Sequence, residues 1–160
     1  MSATKRLVHG AADQGSESPV RLSSLAISAS AEDLAFLESR FREAKWTLYV
    51  AGTYRQALAE LSKIRVPVIL CECQLRDGNW KDILSQLALM LERPRLIVFS
   101  RHADERLWTE VLNLGAFDLL ATPFRESEVV FTIGSAWLDW KDEQEHHRQF
   151  AHAVGPHNRR

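Results

Sequence analysis

Glu72 is the residue whose type and position could do chemistry in this chain of 160 residues. It closes the apolar run Val68-Ile69-Leu70-Cys71 and precedes a turn at Asp77-Gly78. A run of this length, bounded in this way, reads as a strand buried on both faces of a parallel sheet. The carboxylate then sits at the carboxyl edge of a strand, where open α/β sheets bind their ligands. Cys71 and Cys73 flank it, two apart and on one strand face, which is poor geometry for a disulfide. A metal would want about four ligands in tetrahedral array, and no second Cys/His cluster accompanies the pair, so both read as structural thiols. His146, His147 and His152 fall in a polar helix end and are assigned no site. No Gly-rich phosphate loop, nucleophile elbow or Ser/His/Asp constellation stands at the strand ends, which speaks against an enzyme or a small-molecule binder.

The elements that must position Glu72 fit one domain. An apolar fraction of 46% with 26% charged residues is globular composition. A formal net charge of -1 opposes a chain-wide footprint for nucleic acid, and Lys5, Arg6, Arg159 and Arg160 are too sparse for a basic arm. No long uncharged apolar segment offers a membrane span or a signal peptide, so a cytoplasmic location is expected. Residues 1–19 lack apolar periodicity and read as a disordered tail, followed by a domain over 20–141 and a polar helical extension with a tail over 142–160.

Within the domain, strands are expected at Leu22 to Ser28, Trp46 to Ala51, Val68 to Cys71, Leu96 to Phe99 and Asp118 to Thr122. Ser30 with Asp33 and Thr53 with Gln56 have the spacing of capping boxes, and Asn79 with Asp82 suits a third helix start. The expected helical stripes are Leu34, Leu37, Phe41; Ala57, Leu58, Leu61; Ile83, Leu84, Leu87, Leu91; Leu107, Trp108, Val111, Leu112; and Val130, Ile133, Trp137, Trp140. The second helix should end near Arg65, Pro94 should stop the third, and Gly115 should cap the fourth. Five strands alternating with five helices imply right-handed crossovers and a three-layer α/β/α sandwich with a parallel sheet.

Over roughly Val20 to Trp140 the chain resembles the receiver domains of two-component response regulators. The residues that carry the resemblance are Val68 through Gly78 and the stretch Gly115-Ala116-Phe117-Asp118-Leu119-Leu120-Ala121-Thr122-Pro123-Phe124. The resemblance implies the flavodoxin-like, CheY-like strand order 2-1-3-4-5. It also implies that Glu72 stands at the phosphoacceptor position, where the family has Asp. Ser28 and Ala29 stand at the positions of the acidic pair that helps hold magnesium. Ser100 matches the Ser/Thr switch position, Leu119 replaces the aromatic switch and Thr122 replaces the phosphate-sensing Lys.

A Ser-Ala pair offers one neutral hydroxyl where a hard cation wants carboxylates, so magnesium binding should be weak or absent and no cofactor is expected. Glu72 carries its carboxylate one methylene further out than Asp, which spoils placement in a reaction that depends on positioning. Ser28, Ala29 and Thr122 read as ordinary surface residues at strand ends. Glu72 reads as a solvated carboxylate or as an imitation of the phosphorylated state. Trp108, Trp137 and Trp140, on the last two helices, suggest an aromatic face for a homodimer or a docked protein. The expectation is a stand-alone pseudo-receiver that is not an enzyme and binds a protein partner, a sensor kinase or another signalling protein. The alternative is a receiver of a phosphorelay that still accepts phosphate weakly.

Overall fold

The computed structural model describes residues 21–153. The expected disordered tail over 1–19, and the last residues of the expected C-terminal segment, lie outside the described residues. Seven strands and five helices follow in the order β1 Ser23–Ile27, α1 Ala31–Ala44, β2 Thr47–Ala51, α2 Tyr54–Leu61, β3 Val68–Glu72, β4 Gln74–Leu75, β5 Gly78–Asn79, α3 Trp80–Leu87, β6 Arg95–Ser100, α4 Glu105–Asn113, β7 Asp118–Ala121 and α5 Glu126–Ala153. Five strands form one parallel sheet in the order β2-β1-β3-β6-β7. Leaving aside the small antiparallel pair β4-β5, this is the 2-1-3-4-5 order, and the chain has the flavodoxin-like, CheY-like fold.

Alternation along the strands divides the core into two clusters, because successive side chains point to opposite sheet faces. Leu25, Ile27, Ile69, Cys71 and Val98 pack under α2, α3 and α4 with Ala57, Ile83, Leu87 and Val111. Ala26, Val68, Leu70, Ile97 and Phe99 pack under α1 and α5 with Leu37, Phe41, Val129 and Ile133. The central strands β3 and β6 are therefore covered on both sides, as their unbroken apolar runs require.

Local chemistry accounts for the helix starts, with two changes from expectation. Asn79 and Asp82 form a full capping box. Ser30 and Thr53 cap α1 and α2 through Asp33 N–H and Gln56 N–H, but neither reach-back bond closes. The Ser30 N–H donates to Ser28 Oγ at 3.0 Å, and Gln56 Oε1 accepts from the Gly52 N–H at 2.9 Å. Lys45, at φ 59, ends α1 in the left-handed conformation, and Gly115, at φ 99, follows α4 where a side chain would be strained.

Three stripes are phased differently from expectation. Helix α2 ends at Leu61, not near Arg65, and α3 stops at Leu87, which leaves Leu91 fully exposed. On α4 only Val111 is buried, and Trp108 is 47% exposed. On α5 the buried residues are Val129, Thr132, Ile133 and Ala136, with Val130 at the surface. The run Val129-Val130-Phe131 is apolar at every position, so periodicity alone cannot set its phase. Helix α5 also runs unbroken through the expected boundary at 141 as far as Ala153. No helix among the described residues is long and apolar enough to cross a membrane.

Candidate functional site

Parallel register builds the site. Ile27 of β1 pairs with Cys71 of β3, and Glu72 of β3 pairs with Phe99 of β6, so the next residues along these strands meet at the carboxyl edge of the sheet. Ser28 Oγ donates to Glu72 Oε2 at 2.8 Å, and the Ala29 N–H donates to the same oxygen at 3.3 Å. Ser28 Oγ in turn accepts from Ser30 N–H, which ties the carboxylate to the first turn of α1. Ser28 and Thr122 are both buried, so they are not the surface residues they were expected to be. Only Ala29 of the three is exposed. Glu72 is half-buried and hydrogen-bonded, not merely solvated.

The neighbouring strand ends complete the floor. Ser100 Oγ accepts from the His102 N–H at 3.0 Å, and the Thr122 N–H donates to the Ser100 carbonyl at 3.0 Å. Thr122 precedes Pro123 through a cis peptide bond. Phe124 then packs on Phe99 at 5.1 Å and on Phe36 at 5.3 Å between ring centroids, closing the α1 side beneath the site. Leu119 is buried in the opposite cluster.

Two acids near the edge escaped the sequence reading of the site. Asp33, expected only as a cap partner, is buried, and burial raises its carboxyl pKa; its bond with Ser30 lowers it and the Glu72 charge raises it further. Asp77, expected only as a turn residue, reaches back to the start of α2, accepting from the Tyr54 N–H at 2.7 Å and the Arg55 N–H at 3.0 Å. Its slight desolvation works in the other direction, but the Arg55 and Tyr54 N–H groups hold its carboxyl below the ordinary value. With Thr53 Oγ1 accepting from Gln56 N–H, the first three donors of α2 are satisfied. The turn after β3 is thereby stapled to a neighbouring helix. The spacing of Ser30 and Asp33 was visible in the sequence; the pairing of Asp77 with residues 22 and 23 positions away had no local signal.

The cysteines and tryptophans have distinct surroundings. Cys71 and Cys73 are free, the first buried in the core and the second partly buried against it, and burial pushes both thiols up, which suits unreactive residues. Trp108 is the exposed indole of the three on the last helices. Trp137 packs against the α1/α5 cluster with Lys141 Nζ 4.5 Å from its ring centroid. Trp140 lines a cavity of about 460 Å³ at the amino edge of the sheet, beside Arg21, Val66, Pro67 and Pro94. No ring contact among the described residues joins the three.

No protein-family model matches the sequence, and no curated protein is similar to it. Solved structures are similar in fold. The signal receiver domain of an HD domain-containing protein from Pseudomonas fluorescens Pf-5 superposes with a TM-score of 0.73 at 19% identity, covering 82% of this chain and 98% of that one. A beryllofluoride-activated NtrC4 receiver domain dimer gives 0.69 at 19% identity, over 74% and 98%. The chemotaxis response regulator CheY4 of Vibrio cholerae gives 0.67 at 17% identity, over 73% and 99%. The chain shares the fold of response-regulator receiver domains.

The magnesium ion that this fold implies does not fit the residues present. It needs several hard oxygen ligands, and here the one carboxylate at the strand end already accepts from Ser28 and Ala29. Ser28 and Ala29, at the end of β1, supply a hydroxyl and a methyl group, and the nearby Asp33 carboxyl is buried and harder to ionise than usual.

Proposed function

We propose that the chain is a pseudo-receiver, a signalling module that keeps the receiver fold and acts by binding a protein partner without being phosphorylated. The observation that carries this reading is the bond from Ser28 Oγ to Glu72 Oε2 at 2.8 Å. The residue at the acceptor position is engaged by the residues at the acidic-pair positions, so the carboxylate is neither free to attack nor joined by further charge to hold a cation. In phosphoryl transfer, where catalysis is almost entirely positioning and charge stabilisation, both losses weigh on the same step. The reading assigns no enzymatic activity. A sensor kinase or another signalling protein is the expected partner class.

A tied carboxylate at this edge also supports a role for Glu72 as a standing imitation of the phosphorylated state, with Ser100 beside it. Glu72→Gln and Glu72→Asp should then weaken partner binding; unchanged affinity in both variants would remove that role. The exposed Trp108 on α4 supports a docking or homodimer face that includes α4 and the neighbouring part of α5, as an assembly comparable to the NtrC4 receiver dimer.

Titration with magnesium and beryllofluoride, followed by backbone amide NMR, tests the central claim. The expected outcome is a flat response at Glu72, Ser100 and Thr122. Saturable shifts at those three positions would overturn it in favour of a weakly phosphorylatable receiver. The retained carboxylate and Ser100 are the features that favour that second reading.

A further inference from the structure

Val66 and Pro67 precede β3, Pro94 precedes β6, and all three are buried. A proline ahead of a strand has no N–H to give the sheet, and its ring presents a rigid apolar surface. With the half-buried Met90 and Trp140 beside them, they line the cavity of about 460 Å³ that opens between the starts of β1 and β3, the loop from α3 to β6, and α5. A cavity of that size suits a small organic molecule. The ring N–H of Trp140 is buried and finds no acceptor among the described residues. Buried donors are nearly always partnered, so a wall residue with a spare donor marks a place where an acceptor would be received. The rim is cationic, with Arg21 and Arg65 set against Glu92. Arg65 and Glu92 stand 3.7 Å apart with side chains 89% and 48% exposed, a screened pair that a better-placed anion displaces at little cost.

We propose that this cavity is a binding site for a small aromatic monocarboxylate. Its ring system lies between the Trp140 indole and the two prolines, where a flat apolar body displaces water from flat or rigid walls. Its carboxylate lies at the rim, where a guanidinium meets a carboxylate through two parallel hydrogen bonds. A carboxylate has about four lone-pair sites, enough for an arginine fork and for the Trp140 N–H as well. Charge sets the class of ligand. Two guanidinium groups favour an anion over a neutral molecule of the same shape, and Glu92 together with the apolar floor opposes a second negative charge. The cavity lies across the sheet from Glu72, so the proposal stands independently of the reading of that residue.

Titration of the full chain with naphthoate, followed through its amide and indole N–H signals by NMR, tests the site. Saturable shifts are expected at Ser23, Val66, Met90 and the Trp140 indole, with a Kd on the order of 0.1–1 mM for a ligand of this size. Naphthalenemethanol, with the same rings and no charge, should bind at least tenfold more weakly. Naphthalenedicarboxylate should do so too, because its second charge would meet Glu92 or the apolar floor. Arg21→Gln with Arg65→Gln, at two exposed positions, should weaken naphthoate binding at least tenfold. Trp140→Phe keeps the aromatic wall and removes the donor, and should weaken it about threefold. The amide spectrum away from the cavity should be unchanged in both variants. The absence of saturable shifts up to about 10 mM naphthoate, equal affinity for the acid and the alcohol, or wild-type affinity in the double-arginine variant would each overturn the proposal.

Discussion

At the carboxyl edge of the sheet Glu72, Ser28, Ser100 and Asp77 all bond to groups of their own chain. At the amino edge the last turns of α5 stand clear of the body, with Phe150 largely exposed and Leu91 of the loop between α3 and β6 fully so. The edge where an α/β sheet ordinarily meets ligands is internally satisfied, and the opposite edge presents exposed apolar side chains beside the Arg95 ion pairs. The difference teaches that the polar groups of this fold can be spent on holding a loop in place.

The comparison breaks most severely through the core that both edges share. Phe99, fully buried, supports Phe124 beneath the site and belongs to the cluster that holds α5. Phe99→Ala should cost about 3–5 kcal/mol in urea unfolding and loosen both edges together. Arg95→Met acts on the amino edge alone. It removes the pairs to Asp139 and Glu143, largely shielded on the arginine side but half open on the acids', and should cost about 1–2 kcal/mol. Hydrogen exchange should then rise over residues 139–147 and stay unchanged at Glu72.

Ser28→Ala sharpens the contrast from the other side. It deletes the donor to Glu72 and the acceptor of the Ser30 N–H, and should cost about 1 kcal/mol. A double-mutant cycle with Glu72→Gln should show coupling between the two positions, whereas additive effects would mean that the Ser28–Glu72 bond contributes little.

Asp77→Asn is the smallest change, about 0.5–1 kcal/mol at neutral pH as for the loss of a helix cap. Its pH dependence has a fixed sign. The folded-state pKa of Asp77 lies below its ordinary value, so its contribution is present above the unfolded carboxyl range near pH 4 and is lost as pH falls through the lower folded value. The stability gap between wild type and variant should therefore close in acid. Asp33 runs the other way, because burial raises its pKa: its ionised form costs stability, and Asp33→Asn should lose less stability as pH rises above the ordinary carboxyl range than a variant at Asp77 does.

Much of the fold was legible because its signals are local. The apolar runs at Leu25, Ile69 and Ile97 marked strands, and Ser30, Thr53 and Asn79 marked helix starts, since a cap needs only residues within one turn. The strand order came from resemblance and was matched by the pairing of the sheet. Misphased positions share a physical origin. Leu91 and Val130 each continue an apolar pattern past the point where the body ends or the helix rotates, and only packing against the sheet can tell one apolar neighbour from the next. The β4-β5 pair went unseen because strands of two residues carry no period.

For the site, residue types at positions 28, 29, 72, 100, 119 and 122 could be read directly, and with them the absence of an acidic pair. What those residues bond to was decided by tertiary structure. The partner of Glu72 lies 44 residues away and that of Asp77 more than 20; the β1–β3 register brings the first pair within hydrogen-bonding reach, and the fold of the turn after β3 against the start of α2 brings the second. Chain-local chemistry determined which elements form and what each position can offer; parallel pairing of distant strands determined which offers meet, because a hydrogen bond depends on ångström separations in space and not on distance along the chain.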